Sequence, residues 1–367
     1  MLGKPDFDRV RRTLLLQGEP DRVPIMEQSV DGDVKQAFLG KPIQSLDDEV
    51  EFWITAGYDY VPLAIGIRSI FRTGTGVAHS GVADSDFGAA MKTIKAKYSV
   101  LINEEKERAW AEEGTGILAG RAEFDSIKWP DPDSFDYSAL EDAAGLLPAG
   151  AKLIVSIGYI YATVTRLMGF QNFCEKLIDD PDLVARVFER VGQIQLRVFE
   201  NVVTMDAVGA TWQPDDVAYV SGTMIAPKHL RQHVWPWYRE MCRVSRQLGK
   251  PIIYHSDGKL DPIMDDILDV GFTSLHPIEP KPMNIEEIKA RYGDRISLIG
   301  NIDLGYTLTR GTPEEVDAEV RERIRAVAPG GGYAVGSANS VTEYVPLANF
   351  NAMREAAFKY GRYPLEV

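Results

Sequence analysis

The feature that most constrains the fold is a repeated alternation of strand-like and helix-like segments near the C-terminus. Short apolar runs typical of buried strands alternate with helix-like segments, the first three of which begin at Asp, Asn or Thr and end near Gly or Pro. In chain order these segments are 251–254, 261–270, 272–275, 284–292, 296–299, 312–327, 333–335 and 346–360. Such an alternation requires parallel strands joined by crossover helices, because antiparallel hairpins need no helix between strands. The pattern therefore predicts an α/β fold.

The rest of the chain repeats this pattern more loosely. Further strand-like runs occur at 23–26, 58–63, 116–118, 153–156 and 210–212. About eight or nine strands fit a single (β/α)8 TIM-type barrel, with residues 71–106 as an inserted polar excursion near the N-terminal third. No Gly-rich phosphate loop follows an early strand, which disfavours a doubly wound open sheet. Because no linker-like tract divides the chain, we predict one domain over residues 1–367.

Composition and charge exclude several functional classes. Acidic residues outnumber basic ones, 54 to 40, and the net charge of −14 argues against nucleic acid as a partner. Two cysteines are too few for a disulfide framework or a Cys-rich metal cluster. The N-terminus lacks the apolar core of a secretory signal, and the most apolar stretch, 153–164, is shorter than the roughly 20 residues of a membrane span. We predict a cytoplasmic protein without membrane contact.

Polar and ionisable residues follow almost every predicted strand. Barrel active sites are built where the strands end and the following loops begin, so these residues are predicted to line one pocket. In chain order they are Glu27 and Gln28; Gln213, Asp215 and Asp216; His255, Ser256 and Asp257; His276 and Glu279; Asn301 and Asp303; and Ser337 and Asn339. The alternative is that some only cap helices, as Asp257 or Asp303 would.

Two of the five histidines, His255 and His276, follow neighbouring strands. Adjacent strands lie about 4.8 Å apart, so both imidazoles can reach one ion. With Glu27, Asp257 or Glu279 they form a nitrogen and oxygen ligand set that suits zinc with an open coordination position. The alternative is a hydrogen-bonded histidine pair that binds the substrate directly.

A second histidine pair, His229 and His233, has the spacing of a helical metal motif. The general-base Glu of a metalloprotease helix would stand at Leu230, and aromatic residues follow the pair. We therefore predict a packing helix there. His79 lies in a polar loop and has no specific signature.

The strand ends resemble the uroporphyrinogen decarboxylase superfamily, over most of the chain from about residue 21 to residue 363. The similar segments are 21–25, 213–222, 225–227, 255–258, 276–280, 298–303, 310–313 and 329–339. The resemblance implies a (β/α)8 barrel. It also implies one of two chemistries, porphyrinogen decarboxylation without a cofactor or zinc-dependent methyl transfer to or from corrinoid proteins.

Departures from the family pattern favour its methyltransferase branch. The decarboxylases carry an Arg-rich element after the first strand, whereas residues 26–32 here contain Glu27 and Asp31 and no arginine. A porphyrinogen with eight carboxylates would be repelled there. The thiol-methylating members hold zinc with a His-x-Cys element and a later Cys. Asp257 stands at the Cys position of that element, and Ser337 and Asn339 at the last strand end bring no Cys, so a Cys-type zinc site is excluded.

The absence of thiolates leads to a mechanistic hypothesis. Imidazoles and a carboxylate leave zinc more electrophilic than thiolates do, which suits activation of a methyl donor at its leaving heteroatom. We hypothesise a corrinoid-dependent methyltransferase. A small methylated donor, with an aryl methyl ether favoured (O-demethylation), would give its methyl group to a reduced corrinoid on a partner protein.

The resemblance and the strand ends together assign roles to individual residues. We predict His255, His276 and Glu279 as zinc ligands, with Glu27 or Asp257 as the alternative carboxylate. Glu27, Asp257 and Tyr159 are the predicted catalytic residues, and Tyr161 is an alternative to Tyr159 as proton donor or stacking wall. The predicted substrate-binding residues are Asp215, Asn301, Asp303 and Asn339.

Two other functions are weighed against this hypothesis. The first is a metal-free lyase that decarboxylates a small or tetrapyrrole carboxylic acid, with Asp and His as proton shuttles and Arg68, Arg72 and Arg121 as carboxylate clamps. The second is a corrinoid- or tetrapyrrole-binding module without catalysis, which would not need so many polar strand ends. The sequence leaves open whether the chain forms a homodimer.

Overall fold

The computed structural model describes residues 4–65, 93–98, 106–111 and 116–366 of the chain. The strands are β1 Tyr60–Ala64, β2 Thr93–Tyr98, β3 Lys106–Ala111, β4 Lys152–Ser156, β5 Val208–Pro214, β6 Ala218–Tyr219, β7 Gly222–Thr223, β8 Ile252–His255, β9 Ser274–His276, β10 Ser297–Ile299 and β11 Tyr333–Ala334. The α-helices are α1 Phe7–Leu14, α2 Gly32–Leu39, α3 Leu46–Thr55, α4 Arg121–Ser126, α5 Ser138–Leu146, α6 Ile160–Met168, α7 Phe170–Asp179, α8 Pro181–Val203, α9 Pro227–His233, α10 Trp235–Gln247, α11 Met264–Val270, α12 Ile285–Tyr292, α13 Thr307–Arg310, α14 Pro313–Val327 and α15 Leu347–Tyr360. Short 3-10 turns lie at Pro132–Ser134 and Asp261–Ile263.

The central sheet has seven strands in the order β1-β4-β5-β8-β9-β10-β11, and it curls. Each neighbouring pair in it is parallel, which confirms the predicted α/β fold with crossover helices. Residues 24–26 lie beside β11: the Val335 N–H donates to the Pro24 carbonyl (3.0 Å) and the Met26 N–H donates to the Val335 carbonyl (2.8 Å). This contact forms a single parallel bridge at Ile25 rather than a strand.

Two predicted helix starts are confirmed by their capping residues, whereas the start predicted at Asp261 is wrong, because residues 261–263 form a 3-10 turn and α11 begins at Met264 without a side-chain cap. Thr312 and Glu315 form a reciprocal capping box at α14, and Asn284 accepts hydrogen bonds from the N–H groups of Glu286 and Glu287 at α12. Residues 116–118, predicted as a strand, form none. The Leu118 N–H donates instead to the Leu167 carbonyl at the end of α6 (2.8 Å), so this apolar run packs as a loop against a helix terminus.

The insertion is described only in part. Strands β2 and β3 pair antiparallel, as an excursion from a parallel sheet would. Most of residues 71–106, together with Arg68, Arg72 and His79, lies outside the described residues. In the described part of the chain, no helix is long and apolar enough to cross a membrane.

Alternation along β8 separates the helix-facing layer from the site. Tyr254 packs among Trp235, Tyr238 and Phe272 of the surrounding layer, with ring centroids 4.7–6.0 Å apart. Because side chains alternate along a strand, His255 points to the opposite face. The other predicted pair packs as expected: His233 is buried in α9 and stacks on Phe188, with centroids 5.1 Å apart.

Candidate functional site

His255 and His276 meet at the carboxyl ends of two neighbouring strands. They are register partners in the parallel pair β8 and β9. Their Nδ1 atoms are 2.7 Å apart, and their rings stack with centroids separated by 4.9 Å. The structure thus brings together the two histidines that the sequence singled out, and it connects them by a direct ring-to-ring hydrogen bond.

Two carboxylates lie at the other nitrogen of His255. Its Nε2 atom is 3.6 Å from Asp216 Oδ1 and 3.9 Å from Asp257 Oδ1. One ligand atom from each of these three residues lies within 4.8 Å of the others, an arrangement that could hold a metal ion. The side chains of Asp216 and Asp257 are 44% and 33% exposed, whereas His255 is 6% exposed. The cluster therefore opens to solvent on its carboxylate side.

Negatively charged side chains surround Asp257. Burial raises the pKa of this carboxyl to about 8, and repulsion from Asp216 and Glu279 adds to the effect. The Asn339 amide donates a hydrogen bond to Asp257 Oδ2, which acts in the opposite direction. Asp257 Oδ1 has no hydrogen-bond partner within the described ranges. This oxygen is therefore available to a cation or a ligand.

Backbone hydrogen bonds fix the loop that carries Asp257. The Asp257 N–H donates to Asp216 Oδ1 and the Gly258 N–H donates to Glu279 Oε2, both at 3.0 Å. Gly258 has a φ of +86°, and a Cβ on it would lie 2.6 Å from the Ala218 carbonyl. Only glycine allows this close approach of the loop to the β6–β7 hairpin. The hairpin follows directly after Asp216, so it holds both carboxylates in place.

His276 lies deeper than His255. It is fully buried, and the Trp212 ring packs edge-on against it at 5.2 Å. Burial lowers the pKa of His276 well below its ordinary value, and the neighbouring His255 lowers it further. His276 is therefore neutral at physiological pH. It lies outside the group formed by His255 and the two carboxylates.

Glu27 is a fully buried carboxyl at the carboxyl end of the sheet. The Ser337 N–H donates to Glu27 Oε1 (2.6 Å) and the Ser337 hydroxyl donates to Oε2 (2.7 Å). Burial raises the pKa of Glu27 to about 8, although the bonds from Ser337 oppose this. Glu27 therefore holds a proton at neutral pH, as a general acid would.

Asp215 and Asp303 are engaged by protein donors. Asp215 is fully buried and accepts hydrogen bonds from the N–H groups of Tyr161 and Ala162 and from the Tyr238 hydroxyl, at 2.8–2.9 Å. Burial raises its pKa to about 6 despite these bonds. Asp303 accepts from the N–H groups of Gly305 and Tyr306, each at 2.8 Å. Both carboxylates thus hold loops in place, and their predicted contacts with a substrate stay predictions.

The remaining predicted residues are placed as follows. The Asn301 amide is buried and donates to the Ile278 carbonyl (2.9 Å), while its Oδ1 has no partner among the residues that the structure covers. Tyr159 precedes α6 with a φ of +70°, and the Arg166 guanidinium lies 5.6 Å from its ring centre. Tyr161 is buried, and its hydroxyl has no partner in the same part of the chain.

The sequence pattern places Asp216 among the polar strand ends but gives it no individual role, whereas the structure places its carboxylate beside His255. Asp215 and Asp216 are adjacent in sequence, and only the turn after β5 decides which of them faces His255. Arg121, a clamp in the lyase alternative, is half exposed and pairs with Asp180 (2.6 Å) at the start of α8. That ion pair occupies the guanidinium.

Curated proteins and solved structures resemble this chain. Two proteins named "Methylcobamide:CoM methyltransferase MtaA" match at 28% identity: one from Methanosarcina barkeri over 144 residues, and one from its strain Fusaro over 198 residues. These matches cover 38% and 53% of this chain, and 39% and 54% of those proteins. The chain thus matches about half or less of the length of these relatives.

The structural likeness extends over nearly the whole chain. A structure described as a methyltransferase from Methanosarcina mazei has a TM-score of 0.67 with 16% identity, covering 96% of this chain and 98% of that one. At this identity the likeness shows the fold. The family model for uroporphyrinogen decarboxylase (URO-D) matches residues 117–360, which include the strand ends of β4 to β11. The chain therefore belongs to the uroporphyrinogen decarboxylase family, and within it resembles proteins named as methyltransferases.

Proposed function

We propose that this chain is a methyltransferase that passes a methyl group from a small methylated donor to a corrinoid carried by a partner protein. The observation that carries the proposal is the open cluster of His255, Asp216 and Asp257 at the carboxyl end of the sheet. The two curated relatives, whose name describes a methyltransferase that acts on methylcobamide, support the proposal. An aryl methyl ether is the donor that we favour, because its oxygen can leave as a stabilised phenolate.

The donor set fits zinc. One imidazole nitrogen and two carboxylate oxygens are zinc ligands, and catalytic zinc sites commonly use three protein ligands and keep one position open. Burial is the main cause of the raised pKa of Asp257, and repulsion from Asp216 and Glu279 adds to it; a divalent cation would offset that repulsion. His255, Asp216 and Asp257 would hold the ion, and the earlier set with His276 and Glu279 stays an alternative. When bound, zinc would act as a Lewis acid toward the donor heteroatom.

The chain's own residues supply the remaining functions. Asp216 and Asp257 lie at the solvent-open side, where a donor and a corrinoid can approach. Glu27 holds a proton at neutral pH and is our general-acid candidate for the leaving oxygen. In the overall reaction the carbon–oxygen bond of the donor breaks, cobalt(I) takes the methyl group, and the phenolate takes a proton.

We further propose that the fold closes as an eight-stranded barrel in one domain, with residues 24–26 as the eighth strand. Their bridge to Val335 supports this on one side. On the other side, the Tyr60 hydroxyl of β1 donates to the Glu27 carbonyl (2.6 Å) and accepts from the Glu27 N–H (2.7 Å). Closure would place Glu27 at the mouth with the other strand ends.

The visible spectrum of cobalt tests the proposed function. The zinc-loaded protein is mixed with free cob(I)alamin and a panel of methoxybenzoates, and we expect the cobalt(I) band to be replaced by that of methylcobalt(III). Asp257→Ala should abolish the change, and His233→Leu, a buried histidine in the helix layer, should retain it. An unchanged cobalt spectrum together with release of CO₂ from the carboxylic acids would establish the lyase instead.

A further inference from the structure

The contact between the two histidines has a consequence for the metal site proposed above, on which this inference rests. We propose that His276 is a positioning residue rather than a metal ligand. It holds the His255 ring with Nε2 toward Asp216 and Asp257, and it keeps the proton of His255 on Nδ1. A metal-bound imidazole commonly needs such a partner at its second nitrogen, because that bond sets both its tautomer and its orientation.

The geometry of the pair allows one proton between the rings. The two Nδ1 atoms are 2.7 Å apart, so one must donate and the other must accept. His255 Nε2 is the nitrogen that lies near the carboxylates, 3.6 Å from Asp216 and 3.9 Å from Asp257. If Nε2 gives its lone pair to a cation, the proton of neutral His255 is on Nδ1. His276 Nδ1 is then the acceptor, and its own proton lies on Nε2.

The surroundings of His276 agree with this assignment. Its ring is fully buried and held by Trp212, so it can act as a rigid support. The Ser337 backbone raises the pKa of His276, which is the effect of a carbonyl oxygen near an imidazole N–H. Within the described residues, His276 Nε2 has no hydrogen-bond partner of normal geometry. His255 lies between His276 and the carboxylates of Asp216 and Asp257. As a metal ligand, His276 would instead have to turn a nitrogen toward these carboxylates.

Zinc affinity, measured by competition with a chromophoric chelator, tests the proposal. We expect His276→Leu to raise the Kd about 10- to 100-fold. His276→Asn should recover most of the affinity, because its Oδ1 lies as many bonds from the backbone as Nδ1 does and can accept the same proton. His233→Leu is the matched control and should leave the Kd unchanged.

Two spectroscopic readouts separate a positioning role from ligation. The ligand-field bands of cobalt(II) in His276→Asn should show the wild-type coordination number, and ¹⁵N-histidine NMR of the zinc-loaded wild type should show one protonated Nδ1. An unchanged Kd in His276→Leu, or a lost ligand in the cobalt(II) spectrum of His276→Asn, would overturn the proposal. A wild type that binds no zinc would instead overturn the metal site itself.

Discussion

The two ends of the sheet differ in whether their carboxylates are paired with positive charge. At the amino end, the buried Asp59 carboxylate accepts from Arg9 (2.6 Å) and Arg22 (3.3 Å), and Arg9 also pairs with Asp21 (2.6 Å). At the carboxyl end, Asp257 is half-buried, and the charged neighbours that act on it are carboxylates. The difference indicates that charged groups at the amino end are paired with one another, whereas the carboxyl end leaves charge uncompensated for a ligand.

The largest expected effect tests the amino end. Asp59→Ala removes the carboxylate that pairs with Arg22 and should lower the free energy of unfolding by about 3–5 kcal/mol, because a buried ion pair is broken on one side only. Urea denaturation measures this. Asp21→Ala is the matched control, since Asp21 is 62% exposed and should contribute no more than about 1 kcal/mol. Similar losses in both variants would remove the distinction between the two ends.

A pH-dependent effect tests the carboxyl end. The pKa of Glu27 is about 8 in the folded protein and 4.5 ordinarily, so the folded state binds more protons than the unfolded state between these values. Its contribution to stability is therefore lost as pH rises through this range. From pH 6 to pH 8, metal-free wild type should lose roughly 2 kcal/mol more than Glu27→Gln in urea denaturation. Parallel losses in the two proteins would show that Glu27 is not a buried, protonated carboxyl.

A smaller effect separates ligand binding from stability at the same end. Asp216→Asn should weaken zinc binding by at least about 10-fold, because one of three ligands is lost. The free energy of unfolding should change by less than about 0.5 kcal/mol, since this side chain is partly exposed. Asp265→Asn on the surface of α11 removes the same charge and serves as the control. Equal zinc affinity in both variants would rule out Asp216 as a ligand.

The smallest expected effect concerns Asp303, a carboxylate at the same end of the sheet that already accepts hydrogen bonds from backbone N–H groups. Asp303→Ala should lower the free energy of unfolding by about 1 kcal/mol through the loss of its bonds to Gly305 and Tyr306, and Asp303→Ser should retain most of it. Zinc affinity should not change in either variant. If the Km for the methyl donor rises while stability is unaffected, Asp303 binds substrate as the sequence analysis predicted.

The sequence carries most of the information about the sheet and less about the site. Strands β8 to β11 follow from the alternation of apolar runs and capped helices, and the two histidines follow from their places after adjacent strands. Which of Asp215 and Asp216 faces His255 does not follow from the sequence, because it depends on the turn that begins at Pro214. The hydrogen bond between His255 and His276 is equally invisible in the sequence, since it depends on ring orientation within a packed layer.

The most direct test of the charge imbalance at the carboxyl end is a calorimetric zinc titration of chelator-treated protein at pH 7, repeated in buffers of different ionisation enthalpy. We predict one zinc per chain and release of a proton on binding, because Asp257 is protonated at pH 7 and must lose that proton to bind the metal. His255→Ala should abolish the binding. Failure to bind zinc at millimolar concentration, or equal binding by His255→Ala, would contradict the proposed site.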